Sequence, residues 1–161
     1  MSDPTPYTHG YGEAVLGSHR ARTAANSAAH LLPHLRPGQR LLDVGSGAGT
    51  ITADLARIVG PENVTALEVA EKSAALTRAE LAHQGLEQVR VLVGDAHRMV
   101  FEDDSFDVVH AHQVLQHVHD PVQVLAEMRR ITRPGGLVAV RDSDYEGFRW
   151  WPETPAFDRW L

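Results

Sequence analysis

Between Leu41 and Gly49 the chain reads Leu-Leu-Asp-Val-Gly-Ser-Gly-Ala-Gly, which sets Gly45, Gly47 and Gly49 at alternate positions around Ser46 and Ala48. Such a loop turns tightly, accepts positive φ and lets a ligand approach the backbone closely. The first amides of a helix that follows it are free to donate hydrogen bonds. A dinucleotide-binding loop is spaced G-x-G-x-x-G, whereas this one is G-x-G-x-G, and the nearby Asp43 would repel a pyrophosphate. A ligand carrying positive charge suits it better. Taken alone, the glycines also fit a plain strand-to-helix turn.

Two further carboxylates stand just after apolar runs. Glu68 lies 19 residues beyond Gly49, where a carboxylate can accept both hydroxyls of a ribose. By itself it also fits an acid at the head of a helix. Asp95 follows Gly94 and could accept from the exocyclic amine of adenine, although Gly-Asp is also an ordinary turn. The loop and the two acids occur in order after successive runs, and each plain reading must hold independently for the plain account to survive. The conjunction points to an adenosine-like ligand with a cationic end.

His112 and Gln113 hold the corresponding place after a fourth run. His112 and His117 are the side chains able to take a proton near neutrality. On the plain reading, His112 is a pocket wall and His117 a helix-packing residue. His110, His112, His117 and His119 crowd together, but strand alternation puts only the first two on one face, and no cysteine or H-x-x-x-H pair completes a metal set. No metal is expected.

These residues need a scaffold that brings strand ends together. Apolar runs at Arg40–Val44, Asn63–Leu67, Val89–Val93, Phe106–His110 and Leu137–Val140 read as strands. Helical patterns fall between them. Ile51, Leu55, Ile58 and Val59 share a face, Glu71–Gln84 is closed by Gly85, and a third helix starts at Asp120-Pro121 and ends at Pro134-Gly135-Gly136. An alanine-rich stretch from Ser18 to Leu35 predicts a further helix, stopped by Arg36-Pro37-Gly38. Apolar strands alternating with helices imply an open, doubly wound, mostly parallel α/β sheet in three layers. Ligands of such sheets sit beyond the carboxyl ends of the strands, where the candidate residues fall.

The 161 residues suffice for one domain, with residues 1–16 read as a mobile arm, 17–149 as the core and 150–161 as an aromatic tail. With 15 basic against 21 acidic side chains the formal charge is −6, which disfavours nucleic acid as a partner. The absence of cysteine excludes disulfides and thiolate chemistry and suits the cytoplasm; neither a secretory signal nor an apolar run long enough to span a membrane is seen.

Leu41–Gly49, Gly94-Asp95-Ala96 with Phe106-Asp107-Val108-Val109, Val114–Val118 and Arg133–Gly136 together resemble the class I S-adenosylmethionine-dependent methyltransferases, Rossmann-like enzymes. The subgroup of ubiquinone and menaquinone C-methylases is the most similar in flavour, and the resemblance covers residues 36–141. It implies S-adenosylmethionine as cofactor and a small-molecule acceptor. Asp43 and the Gly45–Gly49 backbone, Ser46 included, would hold the methionine portion. Glu68 would bind the ribose, Val69 would pack on adenine, and Asp95 and Ala96 would meet its edge. His112 and Gln113 would lie beside the sulfonium, with Tyr7, His9 and Tyr11 as an arm over it. The family pattern continues with a helix and two strands, so the last two strands of the sheet are expected to be missing here, and Trp150-Trp151 to have anchored them or lined an acceptor pocket. The alternative reading is a methyltransferase fragment that binds cofactor but is catalytically incomplete; a nicotinamide-dependent oxidoreductase shares the fold too, but it fails on glycine spacing, on Asp43 and on the lack of a Tyr-x-x-x-Lys pair.

Overall fold

In the computed structural model, which describes residues 21–144 and Gly147, every apolar run becomes a strand. Strand β1 (Leu41–Val44) is buried along its whole length, as a strand covered on both faces must be. It lies between β2 (Val64–Glu68) and β4 (Phe106–His112); β3 (Arg90–Val93) flanks β2 and β5 (Thr132–Arg141) flanks β4, giving the order β3-β2-β1-β4-β5. All four pairings are parallel. The chain moves outward from β1 in one direction and then in the other, so the crevice between the ends of β1 and β4 is the topological switch point.

Alternation along the strands divides the core in two. Leu41, Val108 and Ala139 face one side, where they pack with Ala24 of α1 (Ala24–Ser27), Leu55 of α2 (Thr50–Val59) and Leu81 of α3 (Glu71–His83). Leu42, Val44, Val109 and Ala111 face the other, against Val124, Met128 and Ile131 of α4 (Pro121–Ile131). The three-layer, doubly wound architecture is therefore the one that the alternation of elements predicts.

Local chemistry sets the helix ends. Asp120 caps α4 by accepting from the Gln123 N–H at 2.9 Å, and Pro121 occupies the first turn, where its missing N–H costs nothing. Gly49 precedes α2 at φ +84° and Gly60 follows it at +98°, backbone states that side chains disfavour.

Two elements differ from expectation. No continuous helix runs to Leu35 among the described residues; α1 is a single turn, followed by a 3₁₀ turn at Leu32–His34. Thr23 and Asn26 cap each other reciprocally, the chain leaves helical geometry at Ala28, and Pro33 has no N–H with which to continue a helix. Ala24, Ala28, Leu31 and Leu35 are still buried, so their spacing marked the side facing the sheet while burial overrode helix propensity. Residues Ser18 to Arg20 of that predicted helix lie outside the described residues, as do the arm with Tyr7, His9 and Tyr11 and the tail with Trp150 and Trp151.

At the other end, α4 stops at Ile131, before Pro134-Gly135-Gly136, and β5 begins at Thr132. Thr132 pairs with Phe106 and Leu137 with Val108, so the proline and glycines take up a register shift between them. A Cβ on Gly136 would come within 2.8 Å of the Asp107 carbonyl, which makes glycine necessary for close approach there rather than for ending the helix. Strand β4 also runs two residues further than expected, to His112.

Gly49 packs directly on α3: an added Cβ would lie 3.2 Å from both the Cα and the carbonyl oxygen of Thr77. Because these are backbone atoms and φ is positive, Gly49→Ala is expected to cost about 1–3 kcal/mol, read as a lower urea midpoint with an unchanged denaturant slope.

Candidate cofactor site

The carboxylate of Asp43 is buried where β1 gives way to the glycine loop. Its Oδ1 lies 2.8 Å from Nδ1 of His110, directly across the sheet on β4, and its Oδ2 accepts from the Thr52 hydroxyl on α2 at 2.6 Å. Asp43 thus joins two strands and the helix that follows the loop. A carboxylate acceptor assigns the ring proton of His110 to Nδ1. Both oxygens of Asp43 are engaged with protein, so its pull on a cationic ligand acts through space.

The loop is shaped by close approach. Gly45 lies at φ +71°, donates to the Leu67 carbonyl at 2.8 Å, and has Val114 Cγ2 only 2.5 Å from where a Cβ would stand. Gly47, at φ +57°, is different: a Cβ there would find no heavy atom nearer than the Gly45 carbonyl oxygen at 4.0 Å. Its outer face is open to a ligand.

Glu68 ends β2, buried, and its Oε1 accepts from the Gly47 N–H and, at 3.4 Å, from the Ser46 hydroxyl. Ser46 also lies 3.0 Å from the Thr77 hydroxyl on α3, which donates to the Gly47 carbonyl at 2.9 Å. Burial pushes the Glu68 carboxyl above its ordinary value; the negative charge of Asp43 adds to this, while hydrogen bonds from the Gly47 and Val69 amides and from Ser46 oppose it.

Next along the sheet, Asp95 follows β3 with its side chain 62% exposed. One oxygen accepts from the His97 backbone N–H at 2.9 Å and from the ring Nδ1 at 2.7 Å. Burial works to raise this carboxyl, but hydrogen bonds and charge from His97, with His119 beyond it, outweigh that and hold it below the usual range. Val69, immediately after Glu68, is 64% exposed, unusual for a valine beside two buried strand ends, and Ala96 is half-buried.

Across the switch point, His112 is buried, and its Nδ1 has no hydrogen-bond partner among the described residues. Burial, then the charges of Arg22 and Arg141, push its pKa down to about 4, leaving the ring neutral at pH 7. A base of that strength captures a proton poorly. Gln113, a non-glycine residue at φ +54°, accepts from Arg22 at 2.5 Å and donates to Ser143 at 3.3 Å. His117 sits in a 3₁₀ turn with its Nε2 3.0 Å from the Gln116 amide nitrogen, which donates to it.

Asp43, the glycine loop, Glu68, Asp95, His112 and Gln113 therefore all lie at the carboxyl end of the sheet, as their places after successive runs predict. Missing from the sequence reading were Thr52, Thr77, His97, Arg22 and Arg141. Only His97 carried a local signal, an Asp-x-His turn; Thr52 lies on the helix that follows the loop, and Thr77, Arg22 and Arg141 reach the site from distant segments. Among the described residues no group of three histidine or acidic side chains is arranged to hold a metal ion.

The fold is a doubly wound α/β domain with a glycine loop and two carboxylates at the carboxyl ends of adjacent strands, and comparison with known proteins makes the class specific. The chain belongs to the methyltransferase-domain family, which matches residues 42–140. It is 33% identical over 153 residues to an uncharacterized methyltransferase of Schizosaccharomyces pombe, covering 89% of this chain and 55% of that protein. It is 39% identical over 119 residues to the demethylmenaquinone methyltransferase of Bacillus cytotoxicus, covering 71% of this chain and 50% of that protein. The crystal structure of a SAM-dependent methyltransferase from Aquifex aeolicus superposes with a TM-score of 0.70 at 23% identity, over 83% of this chain and 73% of that one, a likeness of fold. The chain spans about half the length of the curated relatives it matches.

Two substitutions report on the site's energetics. Asp43→Ala leaves His110 and Thr52 without their buried acceptor and is expected to cost about 3 kcal/mol, measured by chemical denaturation. Glu68→Gln should act in the opposite sense. For a carboxyl whose folded pKa is raised, the native state keeps its proton to higher pH, so stability declines as pH rises from the ordinary value of 4.5 through the raised one. Glutamine cannot ionise, so the variant should melt above the parent at pH 8, with the gap closing towards pH 4; equal melting at pH 8 would contradict the assignment.

Proposed function

We propose that the chain carries the S-adenosylmethionine-binding part of a methyltransferase acting on a small-molecule acceptor. One observation supports this above the rest: β1, β2 and β3 are adjacent, so the glycine loop, Glu68 and Asp95 line one sheet edge in that order. Two strand spacings, about 10 Å, separate the loop from Asp95, a span suited to a nucleoside lying across the strand ends.

The residues fit the cofactor chemically. The open backbone at Gly47, with Gly45, Ser46 and Gly49 shaping the turn, receives the methionine portion, and Asp43 lends negative potential. Glu68 accepts from the ribose hydroxyls, and burial makes such donors worth more than water would. Exposed Val69 and the neighbouring Ala96 offer apolar and amide contact to the base, while Asp95 keeps an oxygen free for the adenine amine.

When bound, the cofactor supplies a methyl group already activated on a sulfonium, so the protein's work is mainly to position donor and acceptor. The neutral His112 and Gln113 wall the sulfonium end, with the guanidinium of Arg22 held on the Gln113 side chain. The low pKa of His112 and the donor already on His117 Nε2 leave neither histidine poised as a strong base. Catalysis by alignment is the mechanism we infer.

We assign cofactor binding to residues 17–149. The formal charge of −6 favours a small acceptor over nucleic acid, and the cysteine-free chain suits the cytoplasm. No helix among the described residues is long and apolar enough to cross a membrane. Likeness to the demethylmenaquinone methyltransferase makes a quinone-derived acceptor the first to assay.

Calorimetric titration with S-adenosylhomocysteine, with NAD as control, tests the reading. Saturable binding is expected, with no response to NAD and an affinity at least about tenfold weaker in Glu68→Ala. A folded chain that fails to bind would overturn the proposal.

A further inference from the structure

Asp95 alone is a poor instrument of recognition, because an exposed carboxylate rotates and hydrates freely. Its surroundings remove that freedom. The carboxylate's Oδ1 takes both His97 donors, the backbone N–H and ring Nδ1. The His97 side chain is 12% exposed, and His97 is itself held by three further contacts, two to its ring and one to its backbone. His119 stacks on it with centroids 3.9 Å apart and planes 28° from parallel. The Asp120 N–H, at the cap of α4, donates to its Nε2 at 3.4 Å. The Gln123 side chain donates to the His97 carbonyl at 3.0 Å.

The tautomer follows from these contacts. Nε2 faces a donor and must accept, so the neutral ring's proton resides on Nδ1 and points at Asp95. The N-terminal turn of α4 therefore braces the carboxylate that follows β3 through a single imidazole. With Oδ1 committed twice, Oδ2 is the oxygen left to accept, and its direction is set by the ring.

We propose that His97 is a positioning residue that holds Asp95 so that the site accepts a 6-amino purine and rejects a 6-oxo purine. This rests on the cofactor reading above. A fixed carboxylate oxygen rewards an amine donor and opposes a carbonyl, whereas a mobile one can swing away from the carbonyl and hydrate.

The test compares S-adenosylhomocysteine with S-inosylhomocysteine, titrated calorimetrically into the parent chain, His97→Ala and His97→Asn, with each variant's fold checked by circular dichroism. The parent should prefer the adenosyl ligand. His97→Ala should lose roughly tenfold of that preference, mostly through weaker adenosyl binding. His97→Asn should recover much of it, since its amide can replace the Nδ1 donor. If His97→Ala weakens both ligands equally, or neither, the preference does not depend on His97 and this assignment is overturned while the cofactor reading stands. If the parent binds neither ligand, the cofactor reading itself falls and carries this assignment with it.

Discussion

Where β1 and β4 diverge, one buried carboxylate engages two donors from elements far apart in the chain. Asp43 meets His110 across the sheet at 2.8 Å and Thr52 on the following helix at 2.6 Å. The glycine loop is strung between those two anchorages, and its conformation has meaning only while both ends are held. A charge so deeply buried costs solvation, and its hydrogen bonds offset that cost only if each partner stays in place. The loop, the start of α2 and the pairing of the two central strands are thus coupled through a few atoms. The rest of the site hangs from this frame, since Gly47 in turn donates to Glu68.

Glu68 illustrates a tension common at ligand sites. Burial opposes its ionisation, whereas the ribose binding proposed for it favours an ionised acceptor. The chain tolerates the mismatch because the Gly47 and Val69 amides and Ser46 supply donors, with Thr77 of α3 held close to Ser46 and Gly47. Helices α2 and α3 do more than cover the sheet: Gly49 lets them approach, and Thr77 uses that approach to reach the loop. At the opposite end, Asp95 stays exposed and is hydrogen-bonded by His97, so the two carboxylates are tuned in opposite senses by their neighbourhoods.

Much of the architecture was legible before any tertiary information. The buried helical face at Ile51, Leu55 and Val59 is local in origin, and so is the Asp120-Pro121 start of α4. The failures have a shared cause. The alanine-rich segment before Leu35 has helical spacing but folds as a short turn and a 3₁₀ turn, because contact with the sheet decides which residues are buried. Pro134-Gly135-Gly136 reads as a helix stop, yet it serves the close passage of β5 beside Asp107. Both judgements used local rules where a distant element dictated the outcome.

For the site, the sequence alone determined which residues stand at strand ends, because a short continuous apolar run followed by Gly, Asp or Glu announces where a buried strand emerges. That was enough to select Asp43, Glu68 and Asp95 and to order them. Only the tertiary structure decided which groups they meet. His110 reaches Asp43 because β1 pairs with β4 rather than with its chain neighbour alone, and Thr77 reaches Gly47 because α3 packs on α2. Such contacts join residues tens of positions apart. Their geometry is set by strand order and helix packing, which no local run of side chains encodes.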